Sequence, residues 1–144
     1  HGRCSFDNHP DFLSLGSSSS SGLSSSKEKR QFLIIFVSTT GDAEQPSSIQ
    51  NTWQRLLSKT LPPDLFANVD FALFALGDRA YGPEAFCAAG RKLAARMAQL
   101  GAKPVCRLGY GDDGSPNGGV FADLDVWLEG ELFPVARARR MVGP

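Results

Sequence analysis

Acidic, aromatic and glycine residues gather in three short stretches of the sequence, at 39–46, 77–85 and 109–119. Arg79 is the only cation in them. Their carboxylates, hydroxyl groups, tyrosine rings and glycines favour a flat aromatic ligand with polar edges, because a tyrosine ring can stack on such a ligand and glycine admits close backbone approach. The residues that offer these groups are Thr39, Thr40, Gly41, Asp42, Glu44, Gly77, Asp78, Tyr81, Glu84, Gly109, Tyr110, Asp112 and Asp113.

Other chemistries fit these stretches less well. No Gly-x-x-x-x-Gly-Lys-Ser/Thr run is present to hold a polyphosphate. A Ser-His-Asp or Cys-His centre lacks its histidine, because His1 and His9 both lie in a polar N-terminal part of the chain. The three cysteines are odd in number and widely spaced, which argues against a disulfide framework and a zinc site.

A divalent metal remains an alternative. The carboxylates of Asp42, Asp78 and Asp112 could bind one, as in response regulators, although no lysine ends the last strand. Solvated loop acids without a role are a further alternative. We rank both below a stacked aromatic ligand.

Apolar runs precede the three stretches and must position them. Residues 32–37 and 69–76 are continuous apolar runs rich in β-branched and aromatic residues, which is typical of strands buried on both faces of a parallel sheet. A third, shorter strand is predicted at 105–108. Right-handed crossovers would bring the loops that follow these strands to one edge of the sheet, where ligands of open α/β sheets bind.

Helical periodicity predicts a helix after each strand. The first begins at a cap on Ser47 or Ser48 and ends before Pro62. The second begins near Glu84 and ends at a cap on Gly101. The third runs roughly over 120–132. Their inward residues are Ile49, Trp53, Leu56 and Leu57, then Phe86, Ala89, Leu93, Met97 and Leu100, then Val120, Leu124, Trp127 and Leu128.

Length and composition indicate one globular domain with flanking segments. The chain has 144 residues, and its 42% hydrophobic and 21% charged fractions are ordinary for a soluble protein. We expect a serine-rich disordered segment at 1–31, the folded domain at 32–133, and a tail or linker at 134–144. A net charge of zero and the absence of a long apolar stretch argue against binding to nucleic acid or a membrane, so a cytoplasmic location is expected.

The three stretches together resemble the FMN domain of diflavin reductases, and most closely that of the NADPH-dependent diflavin oxidoreductases. The resemblance covers about residues 30–133. It rests on Thr-Thr-Gly at 39–41, Ala-Leu-Gly-Asp-Arg-Ala-Tyr at 75–81, Leu-Gly-Tyr-Gly-Asp-Asp at 108–113 and Asp-Val-Trp-Leu at 125–128. It implies a flavodoxin-like three-layer α/β/α fold with a parallel sheet.

The resemblance also implies site residues for FMN. Gly41 would offer its carbonyl to N5 of the flavin ring, Tyr81 would stack on the outer face, and Thr40 would lie near the inner face. Asp112 would lie near the ring edge. The complete set of implied cofactor-binding residues is Thr39, Thr40, Gly41, Leu76, Gly77, Asp78, Tyr81, Gly109 and Asp112. The loop acids would disfavour extra negative charge on the reduced ring and face a basic partner.

In the family, NADPH reduces FAD on a separate C-terminal module, and electrons pass through FMN to a protein acceptor. The resemblance implies that acceptor to be a cytosolic iron–sulfur assembly factor, with no acid, base or nucleophile acting in this chain. It also implies that the first strand, the phosphate loop and the second strand are missing. In the flavodoxin strand order 2-1-3-4-5, strand 32–37 would then expose an apolar edge. A cofactor-free flavodoxin-like module that docks a partner is the alternative function.

Overall fold

The structure is a computed structural model that describes residues 30–39, 43–116 and 118–139. The predicted disordered segment lies almost wholly outside these residues. A π-helical segment, Leu128–Leu132, joins the last two α-helices. The regular elements, in chain order, are β1 (Gln31–Ser38), α1 (Gln50–Leu56), β2 (Val69–Gly77), α2 (Ala88–Gln99), β3 (Lys103–Pro104), β4 (Gly109–Asp112), α3 (Gly119–Trp127) and α4 (Phe133–Ala138).

The four strands form one parallel sheet with β2 at its centre. On one side β1 pairs with β2 over its whole length, from Gln31 opposite Val69 to Ser38 opposite Leu76. On the other side β3 and β4 pair with successive parts of β2. Residues 69–75 of β2 are all buried. This confirms the predicted parallel sheet and the burial of the second run on both faces. The same prediction for 32–37 is wrong, because β1 has a strand on one side only among the described residues and exposes Ile34 and Phe36.

Helices cover both faces of the sheet. Alternate residues of β2 point to opposite faces, so Phe71 and Leu73 pack in a cluster with α2, whereas Phe74 packs in a second cluster with Trp127 of α3. The ring centroids of Phe74 and Trp127 are 5.4 Å apart. The predicted three-layer α/β/α architecture is therefore confirmed.

The predicted third strand at 105–108 is wrong. Pro104 pairs with Phe71, and Gly109 pairs with Phe74. The segment from Pro104 to Gly109 is therefore two residues longer than the segment of β2, from Phe71 to Phe74, that lies beside it. The extra residues leave the sheet between β3 and β4. Side chains of the helical layer bond the backbone there instead, since Trp127 Nε1 donates to the carbonyl of Arg107 at 2.8 Å.

Three helix boundaries differ from the prediction. The first helical segment begins with a 3₁₀ turn after Pro46, and the caps of this turn and of α1 are Pro46 and Ile49, so neither serine is an N-cap. Turns over 82–87 delay α2 to Ala88. The last helical run continues to Ala138, past the expected end near 132, and Arg139 after it is bound to the sheet.

The inward residue Leu57 of the first helix is wrongly predicted, since it is 46% exposed just after α1 ends, whereas the predictions for α2 are confirmed. The inward face predicted for α2 and the turns around it is buried at Phe86, Ala89, Leu93, Met97 and Leu100. Gly101 ends α2 with a φ of 98°, a left-handed conformation that favours glycine. None of the described helices is long and apolar enough to cross a membrane.

Among the described residues, β1 pairs only with β2. Its outer edge therefore has no strand partner in this part of the chain. Ile34 and Phe36 are 45% and 55% exposed on the face that α3 covers only in part. Such an apolar strand edge agrees with the one expected from the family's strand order.

Candidate functional site

A cavity of about 300 Å³ opens at the carboxyl ends of the strands. This edge is where ligands bind in open α/β sheets, and the volume lies at the lower end of the range for small-molecule pockets. Its lining comes from the ends of β1 and β2, the turns that follow β2 and β4, and the start of α3. The lining residues are Ser38, Thr39, Leu76, Gly77, Asp78, Tyr81, Ala85, Asp113 and Val120.

Tyr81 projects from a short 3₁₀ turn, Arg79–Tyr81, that follows β2. Asp78 caps this turn, because its Oδ1 accepts a hydrogen bond of 2.8 Å from the backbone N–H of Ala80. The Tyr81 residue is 63% exposed although it lines the cavity. An aromatic ring in this position is available for a flat ligand to stack on.

Gly77 ends β2 beneath the cavity and packs directly on the turn before α2. A Cβ at this position would lie 2.7 Å from the backbone nitrogen of Cys87, a distance that real Cβ atoms do not show. Cys87 itself has a φ of 55°, which is uncommon for a residue other than glycine. Its thiol donates to the carbonyl of Ala75 at 3.3 Å, and burial raises its pKa to about 11. Close packing therefore requires glycine at 77.

The described part of the first loop is anchored to α2. Thr39 lines the cavity, and its Oγ1 accepts a hydrogen bond of 3.2 Å from the N–H of Ala89. Gln45 is buried, and its Nε2 donates to the carbonyl of Ala89 at 2.8 Å. Thr40 and Gly41, two of the predicted site residues, lie outside the described residues, as does the neighbouring Asp42.

Asp112 and Gly109 belong to β4 but do not line the cavity. The carboxylate of Asp112 accepts from the backbone N–H groups of Arg79 and Gly114, at 3.2 and 3.1 Å. Gly109 instead provides packing space, since a Cβ there would lie 2.3 Å from the ring of Phe74. Trp127 lies on the same side of Gly109.

Of the nine predicted site residues, the cavity brings together Thr39, Leu76, Gly77, Asp78 and Tyr81. The sequence-based set omitted four lining residues, namely Ser38, Ala85, Asp113 and Val120. Two of them had a signal in the sequence: Asp113 is one of the loop acids, and Ser38 directly follows the first apolar run. Periodicity assigned Val120 to the inward face of the last helix, and no signal in the sequence marked Ala85.

The cavity lining offers carboxylates and a tyrosine ring as groups that could contact a ligand. No histidine occurs at residues 30–139. Within the part of the chain that the structure describes, no three His, Cys, Asp or Glu residues lie close enough together to hold a metal ion. Asp78 and Asp113 give the cavity two carboxylates, which favour a neutral or electron-poor ligand surface near them.

Comparisons of the sequence with known proteins agree with this geometry. A family model described as flavodoxin matches residues 13–127. The chain is similar to proteins named NADPH-dependent diflavin oxidoreductase 1 from three organisms. These are Cryptococcus neoformans (44% identity over 100 residues), Mycosarcoma maydis (40% over 117) and Arabidopsis thaliana (35% over 105). The matches cover 69%, 77% and 73% of this chain, and 16–17% of the relatives.

Solved structures show the same fold. A serine-substituted variant of flavodoxin from Pseudomonas aeruginosa superposes with a TM-score of 0.53 at 25% identity, and the match covers 69% of this chain and 62% of that one. An alanine-substituted variant of the same flavodoxin gives a TM-score of 0.52 at 24% identity, covering 69% and 63%. The chain thus shares most of a flavodoxin but only about a sixth of the diflavin oxidoreductases that it matches.

Proposed function

Since the chain belongs to the flavodoxin family, we propose that it is an FMN-binding electron-transfer domain whose cavity at the strand ends receives the flavin ring. One observation carries this proposal: the largely exposed Tyr81 and the glycine end of β2 line one cavity at the ligand-binding edge of the sheet. A stacked aromatic ring needs this combination of a free aromatic face and close backbone approach.

The residues present fit the ring portion of FMN. Tyr81 would stack on it, and Leu76, Gly77 and Asp78 would pass beneath or beside it along the end of β2. Thr39 would shape the first loop through its bond to α2. Thr40, Gly41, Gly109 and Asp112 complete the proposed set. The sequence contains no Gly-x-x-x-x-Gly-Lys-Ser/Thr run that would hold the phosphate.

Bound FMN would supply one-electron chemistry, and the protein groups would hold and shield the ring. The half-buried Asp78 and the exposed Asp113 place negative charge along the cavity lining. Such charge disfavours the addition of further negative charge to a bound ring. The same carboxylates would face a protein partner with a basic surface.

The relatives support a finer proposal for the longer protein. We infer that the chain acts within an NADPH-dependent diflavin oxidoreductase, in which a separate module binds NADPH and FAD and reduces this domain. The electron acceptor would be a cytosolic iron–sulfur assembly factor, and the location cytoplasmic. We also propose a division into a segment at 1–31 and a folded domain from 32 onward that includes α4, rather than one that ends at 133.

The experiment is a titration of the full chain with riboflavin, which has the ring without the phosphate, and with FMN. Flavin fluorescence and visible absorbance report binding. The titration is repeated with the N-terminal part of the Cryptococcus relative added. We expect the Tyr81→Ala substitution to weaken ring binding by about tenfold, since base–aromatic stacking is worth about 1–3 kcal/mol.

Phe121→Ala is the matched control, because Phe121 is an aromatic residue that is 79% exposed on α3 and does not line the cavity. Its variant should bind as well as the unchanged chain. Absence of flavin binding in every condition would contradict the proposal and favour a cofactor-free module that docks a partner.

A further inference from the structure

Asp112 is the last residue of β4 and lies where the sheet ends beneath the cavity. It pairs with Gly77, the last residue of β2, and the N–H of Asp113 donates to the carbonyl of Gly77 at 2.9 Å. Beyond this point no strand pairing holds the two chain segments together. One of these segments carries Asp78 and Tyr81 to the cavity, and the other carries Asp113.

The carboxylate of Asp112 bridges these two segments. Its Oδ1 accepts from the backbone N–H of Arg79, at 3.2 Å, and from the backbone N–H of Gly114, at 3.1 Å. Its Oδ2 lies 3.3 Å from Nε of Arg79. The side chain is 11% exposed, so these protein groups replace most of its contact with water.

The arginine end of this bridge is 70% exposed but also contacts a ring. The guanidinium of Arg79 lies 4.3 Å from the ring centroid of Phe86, at a distance typical of a cation–π contact. Phe86 is buried, and its ring lies 6.2 Å from that of Tyr110 on β4. On the other side, the backbone N–H of Asp112 donates to Oδ2 of Asp123 on α3, at 2.9 Å.

We propose that Asp112 is a positioning residue, which ties the turn after β2 to the turn after β4 and so sets the spacing of Tyr81 and Asp113 around the cavity. This inference rests on the proposed flavin-binding function. It gives Asp112 a role in positioning the two turns, in place of direct contact with the flavin ring. The three contacts of this carboxylate are all with protein groups of the two turns, so it acts on the ligand through the turns that it holds.

The charge of Asp112 has a partner in the chain. Arg79 is paired with it, whereas Asp78 and Asp113 line the cavity. The negative charge that a ring experiences would therefore come from Asp78 and Asp113. Removal of the Asp112 charge should affect binding less than removal of its hydrogen bonds.

The substitutions Asp112→Asn and Asp112→Ala separate these two effects. Asparagine keeps an oxygen that can accept from both backbone N–H groups but lacks the charge, whereas alanine lacks both. We expect riboflavin affinity to stay within about threefold for the asparagine variant and to fall by about tenfold or more for the alanine variant. Asp125→Asn, an exposed change on α3, is the control for loss of one charge.

Amide hydrogen exchange of the ligand-free chain gives a second readout that does not depend on the cofactor. The N–H groups of Arg79 and Gly114 should exchange about tenfold faster in the alanine variant than in the unchanged chain, and the N–H of Ala102, bonded to Met97 at the end of α2, should be unchanged. Unchanged exchange of the Arg79 and Gly114 amides in the alanine variant would overturn the proposal that Asp112 joins the two turns. Equal loss of riboflavin binding in the asparagine and alanine variants would overturn it as well, in favour of direct action of the charge.

The two proposals can fail separately. If the unchanged chain binds no riboflavin under any condition, the proposed function fails, and amide exchange still decides whether Asp112 joins the turns. If the alanine variant does not fold, exchange in the unchanged chain decides: the Arg79 and Gly114 amides must be more protected than that of Ala80, which bonds the carboxylate of Asp78 at an exposed position. If the Arg79 and Gly114 amides are no more protected than the Ala80 amide, the proposal that Asp112 joins the two turns is overturned.

Discussion

Nη1 of Arg139, directly after α4, donates a hydrogen bond of 2.7 Å to Oδ2 of Asp70, near the start of β2. Arg30, just before β1, donates to the same oxygen from Nε at 3.1 Å. Asp70 is only 4% exposed. One buried carboxylate thus binds the residue that precedes the first strand and the residue that follows the last helix.

We expect Asp70→Asn to lower the free energy of unfolding by about 1–2 kcal/mol. Hydrogen bonds to a charged group contribute about 1.5–3 kcal/mol each, but both arginine side chains are nearly half exposed, and water can solvate them once the carboxylate is lost. Urea unfolding followed by circular dichroism measures the change. Asp125→Asn, at an exposed position, should change the value by less than about 0.5 kcal/mol.

The stabilisation by Asp70 should depend on pH. The hydrogen bond from Arg30, more than any other cause, holds the pKa of this carboxyl below its ordinary value of 3.8. In the unfolded chain the group therefore binds a proton at a higher pH than in the folded protein, so stability falls as the pH falls. The difference in unfolding free energy between the unchanged chain and Asp70→Asn should be constant above about pH 5. It should shrink as the pH falls below 3.8 and through the folded-state pKa. A difference that stays constant down to pH 3 would contradict this assignment.

Gly109→Ala should destabilise the fold by about 1–3 kcal/mol, because the added methyl group overlaps the rings of Phe74 and Trp127. Gly130→Ala is the matched control in the π-helical segment, where nothing lies within 4 Å of an added Cβ. That change should be neutral or stabilise by up to about 1 kcal/mol. Thermal unfolding of both variants distinguishes packing at Gly109 from a role confined to ligand binding, which would leave the stability of the free chain unchanged.

Cys87 should react with iodoacetamide only after the fold opens. The Cys87 thiol is fully buried, and its pKa of about 11 leaves about one molecule in a thousand ionised at pH 8. Burial also raises the pKa of Cys106, but that residue is partly exposed. In a chain carrying Cys4→Ser, mass spectrometry at pH 8 should show labelling of Cys106 well before Cys87. Labelling of both at equal rates in the absence of denaturant would refute the closed packing beneath Gly77.

Ile34→Lys should reduce self-association of the chain. Charged residues on an edge strand disfavour pairing with the edge of another molecule, and Ile34 is 45% exposed on β1, whose outer edge has no strand partner in the described residues. Light scattering across a concentration series measures the effect. Val126→Lys is the control, because Val126 is 74% exposed on a helix, where no strand edge is available. An equal effect of both substitutions would attribute association to general hydrophobicity.

The sequence determined the elements whose signals are local. A continuous apolar run marked β2, because a strand in the middle of a covered sheet is buried on both faces. A similar run marked β1, although Ile34 and Phe36 of that strand are largely exposed. The inward face of α2 and its glycine cap followed from helical periodicity. The order of these elements then placed three loops, and the residues in them, at one edge of the sheet.

The tertiary structure decided which of those loop residues meet and which serve the fold. Asp112 and Arg79 are separated by 33 residues, and Asp70 and Arg139 by 69. Periodicity reports whether a residue is buried, but it does not report its partner. Partners depend on strand register and on bulges such as that between β3 and β4, where side chains of a distant helix replace the hydrogen bonds of the sheet.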